Sequence, residues 1–280
     1  MNHPFERKGV DNAWCPGCGN FGILKLIEEV LSELSLEKER VVAVSGIGQS
    51  SKTPYYIDVN MFGGLHGRAL PVATAIKAAN PSLTVIAEGG DGDMYGEGGN
   101  HFLHAVRRNI DLVHIVHNNM VYGLTKGQAS PTSRRGQKTP VQVGGVISEP
   151  FNPLAVALSL NAGFVSRVNI GNKVHAKRVL KAAFEHRGYA LVDIFQPCVT
   201  FNEINTYGWF KEHTYELPES YEPADRLEAL RKAFENDPMP LGIFYKEERP
   251  TFEEQNRRTK RALHHINHDL ALLQKLFDTY

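Results

Sequence analysis

Gly89-Gly90-Asp91-Gly92-Asp93-Met94-Tyr95-Gly96-Glu97-Gly98-Gly99 lies between two apolar runs, residues 83–87 and 112–116. A helical pattern covers residues 101–109, and Asn118-Asn119 follows the second run. Strand, glycine loop, helix and strand in that order form a crossover unit, which leaves the two strands parallel. Neighbouring strands run about 4.8 Å apart. The loops leaving them then open into one crevice, where open α/β sheets bind ligands. Asp91 and Asn119 are expected to face the same small volume.

Their chemistry narrows the ligand. A glycine-rich loop brings backbone N–H groups close to phosphate, yet this one also carries Asp91, Asp93 and Glu97. Carboxylates repel a bare phosphate but suit one bridged by a hard divalent cation, with a neutral amide oxygen completing the donor set. Either loop alone reads as a turn; at paired strand ends they predict a diphosphate held through Mg²⁺. The pattern resembles the thiamine-diphosphate fingerprint, Gly-Asp-Gly followed after a helix and strand by Asn-Asn.

The chain has 280 residues, enough for a sizeable core in one or two domains. Lys plus Arg and Asp plus Glu balance at 31 each, giving no global field for nucleic acid or membrane. The N-terminal residues lack the apolar run of a signal peptide, and no uncharged apolar run is long enough to span a bilayer. These features predict a soluble, cytoplasmic protein. Three cysteines, two of them in Cys15-Pro16-Gly17-Cys18, suit a metal or redox site in a reducing compartment rather than a disulfide framework. No strand precedes this Cys-x-x-Cys, as a thioredoxin-like motif would require, and no second Cys or His pair completes a zinc site.

Alternation continues along the chain. Residues 23–36 read as an amphipathic helix and 41–44 as a buried strand that runs into Ser45-Gly46-Ile47-Gly48-Gln49-Ser50-Ser51-Lys52. His66 opens a helix extending to Ala79. Residues 121–132 read as a ligand-contacting loop and 134–138 as solvated surface. Helices over 153–161 and 174–186 alternate with strands over 164–168 and 190–195, and Cys198 stands just beyond the last strand. One doubly wound, mostly parallel α/β sheet accounts for residues 1–200. Residues 201–280 form a C-terminal extension with a helix over 224–236, an extended run over 241–245 and a charged helix over 252–280. That last helix carries an apolar stripe of Leu263, Ile266, Leu270, Leu273 and Leu276, packing on the domain or on a partner subunit.

Cys15-Pro16-Gly17-Cys18-Gly19, Ser45-Gly46-Ile47-Gly48, His66-Gly67-Arg68-Ala69, Gly90-Asp91-Gly92-Asp93, Asn118-Asn119-x-x-Tyr122-Gly123-Leu124-Thr125 and Gln196-Pro197-Cys198 occur in this order. Together they resemble the beta subunit of 2-oxoacid:ferredoxin oxidoreductases. The resemblance implies the thiamine-diphosphate-binding fold, with Mg²⁺ held by Asp91, Asn119 and the carbonyl of Val121. Ile47, Gly48, Gln49, Ser50, His66, Gly92, Asp93, Gly123 and Leu124 are the implied cofactor contacts. His66, Lys52 and Lys126 are the candidate catalytic residues. Cys15, Cys18 and Cys198 would ligate a [4Fe-4S] cluster, with Gln49 standing where the family's fourth cysteine falls and Asn20 where it has a histidine. Three thiolates are one short of the usual four-iron set.

The implied reaction is coenzyme A-dependent oxidative decarboxylation of a 2-oxoacid, or its reverse, with electrons passing to ferredoxin. An alpha subunit supplies the pyrimidine-binding domain and the activating glutamate, so the working unit is a heterodimer and the implied assembly a dimer of heterodimers. Lys52 and Lys126 each follow a cofactor-contacting loop, and two ammonium groups favour a substrate with a second carboxylate, 2-oxoglutarate rather than pyruvate. Two other readings compete: a non-redox thiamine-diphosphate decarboxylase or carboligase subunit, and a non-catalytic electron-transfer module. A bound iron–sulfur chromophore separates the first; Mg²⁺-dependent cofactor binding separates the second.

Overall fold

The computed structural model describes residues 4–256, 262–265 and 269–279. Eight strands form one sheet in the order β2-β1-β3-β4-β6-β5-β8-β7. They are β1 (Val41–Ser45), β2 (Asn60–Gly63), β3 (Thr84–Gly90), β4 (Leu112–Asn118), β5 (Phe164–Asn169), β6 (Tyr189–Phe195), β7 (Thr214–Glu216) and β8 (Met239–Lys246). All pairings are parallel except β5 with β8. The central strands β1, β4, β5 and β6 are buried along their whole length, as expected of parallel strands covered on both faces.

Helices α1 (Gly19–Glu33) and α5 (Lys173–Glu185) cover one face of the sheet, around Ile23, Ile27, Val30, Val179 and Ala183. The other face is covered by α2 (Ala69–Ala79), α3 (Gly99–Arg108), α4 (Pro153–Ser159) and α7 (Arg226–Ala233). Asn152 caps α4, Asn172 caps α5 and Asp225 caps α7, each side chain accepting backbone N–H groups of the first turn. Asn109 ends α3 in the left-handed conformation at φ 51°.

Strands β3 and β4 are neighbours, with Gly90 opposite His117, so the loops leaving them emerge side by side. Instead of an open loop, residues Gly92–Glu97 make a π-helical turn before α3, a form that recurs at functional sites. The chain beyond residue 200 adds α6 (Tyr207–Glu212), β7, α7 and β8, so its two strands extend the same sheet. The charged helix expected over residues 252–280 is not continuous. It is replaced by α8 (Phe252–Gln255), a 3-10 turn at Leu263–His265 and α9 (Leu270–Asp278). Of the expected stripe, Leu263, Leu270, Leu273 and Leu276 are exposed; Ile266 lies outside the described residues. Among the described residues, no helix is long and apolar enough to cross a membrane.

Candidate active site

Asp91 follows β3 directly and is almost fully buried. Its Oδ2 accepts hydrogen bonds from the hydroxyls of Ser130 and Thr132, both at 2.5 Å. Burial raises its pKa to about 6, opposed by those hydroxyls and by the backbone of Asn119, with Asp193 adding to the rise. A buried carboxylate held above its usual range is a group whose charge calls for a cation. Asn119 curls back so that its Oδ1 accepts from Val121 N–H at 3.1 Å.

Asp93 ties the loop after β1 to the loop after β3. Its Oδ1 accepts from Ile47 N–H at 3.0 Å and Gly67 N–H at 2.8 Å, and lies 2.7 Å from His66 Nδ1. Burial pushes its carboxyl up, against the two N–H groups and His66, and its Oδ2 is buried without a partner. Gly46 permits this arrangement: a Cβ there would lie 2.1 Å from Asp93 Oδ2. Gly92 is equally confined, since a Cβ would come within 2.2 Å of the Tyr122 ring. Tyr122 in turn donates to Glu97 Oε2 at 3.1 Å, and the His66 and Tyr122 rings meet edge to face at 6.3 Å.

The remaining candidates lie around this crevice. Ser50 is buried, with its Oγ against Gly90, while Ile47 and Leu124 are exposed at the rim. Lys126 is exposed and holds a positive φ of 76°, a conformation that costs energy outside glycine. It borders a cavity of about 440 Å³ with Val121, Lys138, Thr200 and Asn202. Lys52 is half-buried on a 3-10 turn after β1 and does not line that cavity. Arg134, expected as solvated surface, instead places its guanidinium 5.3 Å from the Trp209 ring centre, and neighbouring Gln137 is buried.

The cysteines gather on the same edge. Cys18 is the N-cap of α1, and its N–H donates to Cys15 carbonyl at 3.0 Å across the Pro-Gly turn. Gly19 packs on the side chain of Gln196, and Cys198 Sγ lies against Gly123. The Cys18 thiol is raised to about 11, chiefly by burial and also by Cys198 and Cys15, against the backbone of Asn20. Burial also raises Cys198, with Cys15 and Asp91 adding to it. Trp14 Nε1 donates to the Gln49 carbonyl at 2.7 Å, tying Gln49 to the Cys15 turn, and the buried Gln49 Oε1 has no partner. Among the described residues, no three His, Cys, Asp or Glu side chains converge as a ready metal site.

Several participants are absent from the motif reading. Ser130 and Thr132 reach Asp91 from a loop some 40 positions on, and Asp193 and Arg167 form a buried pair behind it. A charged residue inside each of two strand-like runs was the available signal. Glu88, His117 and Asn20 form a second buried chain, His117 Nε2 lying 2.7 Å from Glu88 Oε1 and Nδ1 2.9 Å from Asn20 Oδ1.

Comparison with known proteins decides the family. Residues 41–194 match the thiamine pyrophosphate enzyme C-terminal TPP binding domain, and residues 198–261 match the C-terminal region of the pyruvate ferredoxin oxidoreductase beta subunit. The chain is 46% identical over 258 residues to the 2-oxoacid:ferredoxin oxidoreductase subunit beta of Saccharolobus solfataricus, covering 87% of this chain and 85% of that one. This chain belongs to the 2-oxoacid:ferredoxin oxidoreductase beta subunits. The 2-oxoglutarate oxidoreductase subunit KorB of Mycobacterium tuberculosis is 47% identical over 190 residues, covering 68% of this chain and 51% of that one. The fold matches a solved 2-oxoglutarate:ferredoxin oxidoreductase from Magnetococcus marinus, with 2-oxoglutarate, coenzyme A and succinyl-CoA bound, at a TM-score of 0.91. That match has 36% identity and covers 97% of this chain and 94% of the other.

Proposed function

We propose that this chain, with an alpha subunit, converts 2-oxoglutarate and coenzyme A to succinyl-CoA and CO₂, or runs the reverse, exchanging electrons with ferredoxin. The carrying observation is the buried Asp91, held at the end of β3 beside the Asn119 loop at the end of β4. Its donor set fits a diphosphate-bound Mg²⁺: one carboxylate, the Asn119 amide oxygen and the Val121 carbonyl, all hard oxygens. The unpartnered Asp93 Oδ2 supports a cofactor seated against this wall. Thiamine diphosphate, when bound, would supply an electron sink for the bonding pair left on the substrate carbon as CO₂ departs. Ile47, Gly48, Ser50, His66, Gly92, Asp93, Gly123 and Leu124 line and orient it, and Asp93 holds His66 in place at the rim.

Cys15, exposed on its Pro-Gly turn, and the half-buried Cys18 and Cys198 are assigned three corners of an iron–sulfur cluster; burial holds the Cys18 and Cys198 thiols above their usual range, and a cation would favour their thiolates. Gln49, with its unpartnered Oε1, is the candidate for the fourth role. Such a cluster is the one-electron route from the crevice to ferredoxin. The activating glutamate is assigned to the alpha subunit, so the isolated chain is inactive, and the assembled enzyme works in the reducing cytoplasm. Lys52 and Lys126 are assigned to the second carboxylate of the substrate.

The test is anaerobic purification of the alpha–beta complex, followed by visible and EPR spectra on adding 2-oxoglutarate and coenzyme A. Bleaching of an iron–sulfur band with 2-oxoglutarate, but not with pyruvate, is expected. A colourless complex that binds thiamine diphosphate would favour the non-redox reading, for which Gln49 in place of a fourth thiolate is the supporting observation. No binding of thiamine diphosphate would overturn both.

A further inference from the structure

Behind Asp91 a buried hydrogen-bond chain runs through three strands. Arg167 on β5 faces Asp193 on β6 in the parallel register, and its Nε donates to Asp193 Oδ2 at 2.9 Å. Asp193 is fully buried; its Oδ1 also accepts from the Tyr95 phenol at 3.0 Å and from Asn118 Nδ2 at 3.1 Å. Asn118 is the last residue of β4. Because its Nδ2 is committed to a carboxylate that only accepts, its Oδ1 must point the other way. There it meets Thr132 Oγ1 at 2.9 Å, and Thr132 Oγ1 lies 2.5 Å from Asp91 Oδ2.

We infer that Asp193, locked by Arg167, is a positioning residue that acts through Asn118 and Thr132 to orient the Asp91 carboxylate for its cation. The inference rests on the proposed role of Asp91 in holding Mg²⁺. An apolar pair of the same size would fill this space more cheaply, because buried ion pairs are weak contributors to stability. What the Arg167–Asp193 pair provides is direction. It fixes the oxygen end of the Asn118 amide toward Thr132, so the single proton of the Thr132 hydroxyl is shared between Asn118 Oδ1 and Asp91 Oδ2, while Ser130 donates to the same Oδ2. Outer partners of metal ligands commonly change metal affinity by about 10- to 100-fold when removed.

The experiment measures the Mg²⁺ concentration needed for half-maximal thiamine diphosphate binding to the alpha–beta complex, by calorimetry, without turnover. Thr132→Val should raise that concentration about tenfold or more, and Thr132→Ser should restore it. Asp193→Asn should raise it in the wild-type background but add nothing to Thr132→Val, because its effect travels through that hydroxyl. Should Asp193→Asn fail to assemble, Asn118→Ala in the same two backgrounds carries the comparison. An unchanged Mg²⁺ requirement in Thr132→Val, or equal losses in both backgrounds, overturns the inference. If wild-type binding needs no divalent cation, it is the reading of Asp91 that fails.

Discussion

His114 lies at the centre of β4, four residues before the asparagine pair, and is fully buried among Tyr95, Phe102 and Tyr189. Its Nδ1 sits 2.6 Å from the Tyr189 hydroxyl, and its Nε2 has no partner. Burial lowers its pKa to about 3, against about 6.5 in an unfolded chain. A histidine whose folded pKa is depressed stabilises the fold above its unfolded pKa; that stability is lost as pH falls below about 6.5 and the loss levels off near 3. Between pH 7 and pH 5 the linkage amounts to about 2 kcal/mol. His114→Gln, which keeps an acceptor for Tyr189, should therefore lose about 2 kcal/mol less than wild type over that interval. Urea unfolding of the purified chain at both pH values measures the difference. Equal losses in the two proteins would refute the buried, neutral state of His114.

Gly92→Ala puts a methyl against the Tyr122 ring. It should cost about 1–3 kcal/mol of stability and weaken thiamine diphosphate binding, read by calorimetry of the alpha–beta complex. Thr251→Ala removes the capping box of α8, in which Thr251 and Glu254 each bond the other's backbone N–H. This should cost about 1 kcal/mol in urea unfolding and leave cofactor affinity unchanged, since α8 bonds to Asn109 just before β4 begins, whereas the crevice lies beyond the end of β4. Lys52→Ile should raise the KM for 2-oxoglutarate far more than that for pyruvate; equal changes would remove Lys52 from the carboxylate-binding role.

Much of the sheet was legible because apolar runs of strand length alternate with helical patterns. The expected strands β1, β3, β4, β5 and β6 form, with ends moved by a few residues, while β2, whose residues are mostly exposed, was not read from the sequence. The glycine loop was legible as chemistry but not as a π-helical turn, because that shape depends on Gly98 N–H reaching back to the Asp93 carbonyl. Strand β8 read as extended, but its antiparallel place beside β5 needed the tertiary pairing. Ser130 and Thr132 were inside a segment read as ligand-contacting, yet their bonds to Asp91 depend on how a long irregular connection folds back. Asp193 and Arg167 each look like an isolated interruption of a strand, and only the β5–β6 register shows that they neutralise one another. The tail misled because its leucines keep helical spacing across a break, and spacing alone carries no record of where a helix stops.

The most direct measurement is a calorimetric titration of thiamine diphosphate into the alpha–beta complex, with and without Mg²⁺, for wild type and Asp91→Asn. Binding that requires Mg²⁺ in wild type and is lost in Asp91→Asn is expected if the paired loops after β3 and β4 hold the diphosphate through a cation. Binding of equal strength without Mg²⁺, or undiminished in Asp91→Asn, would contradict it.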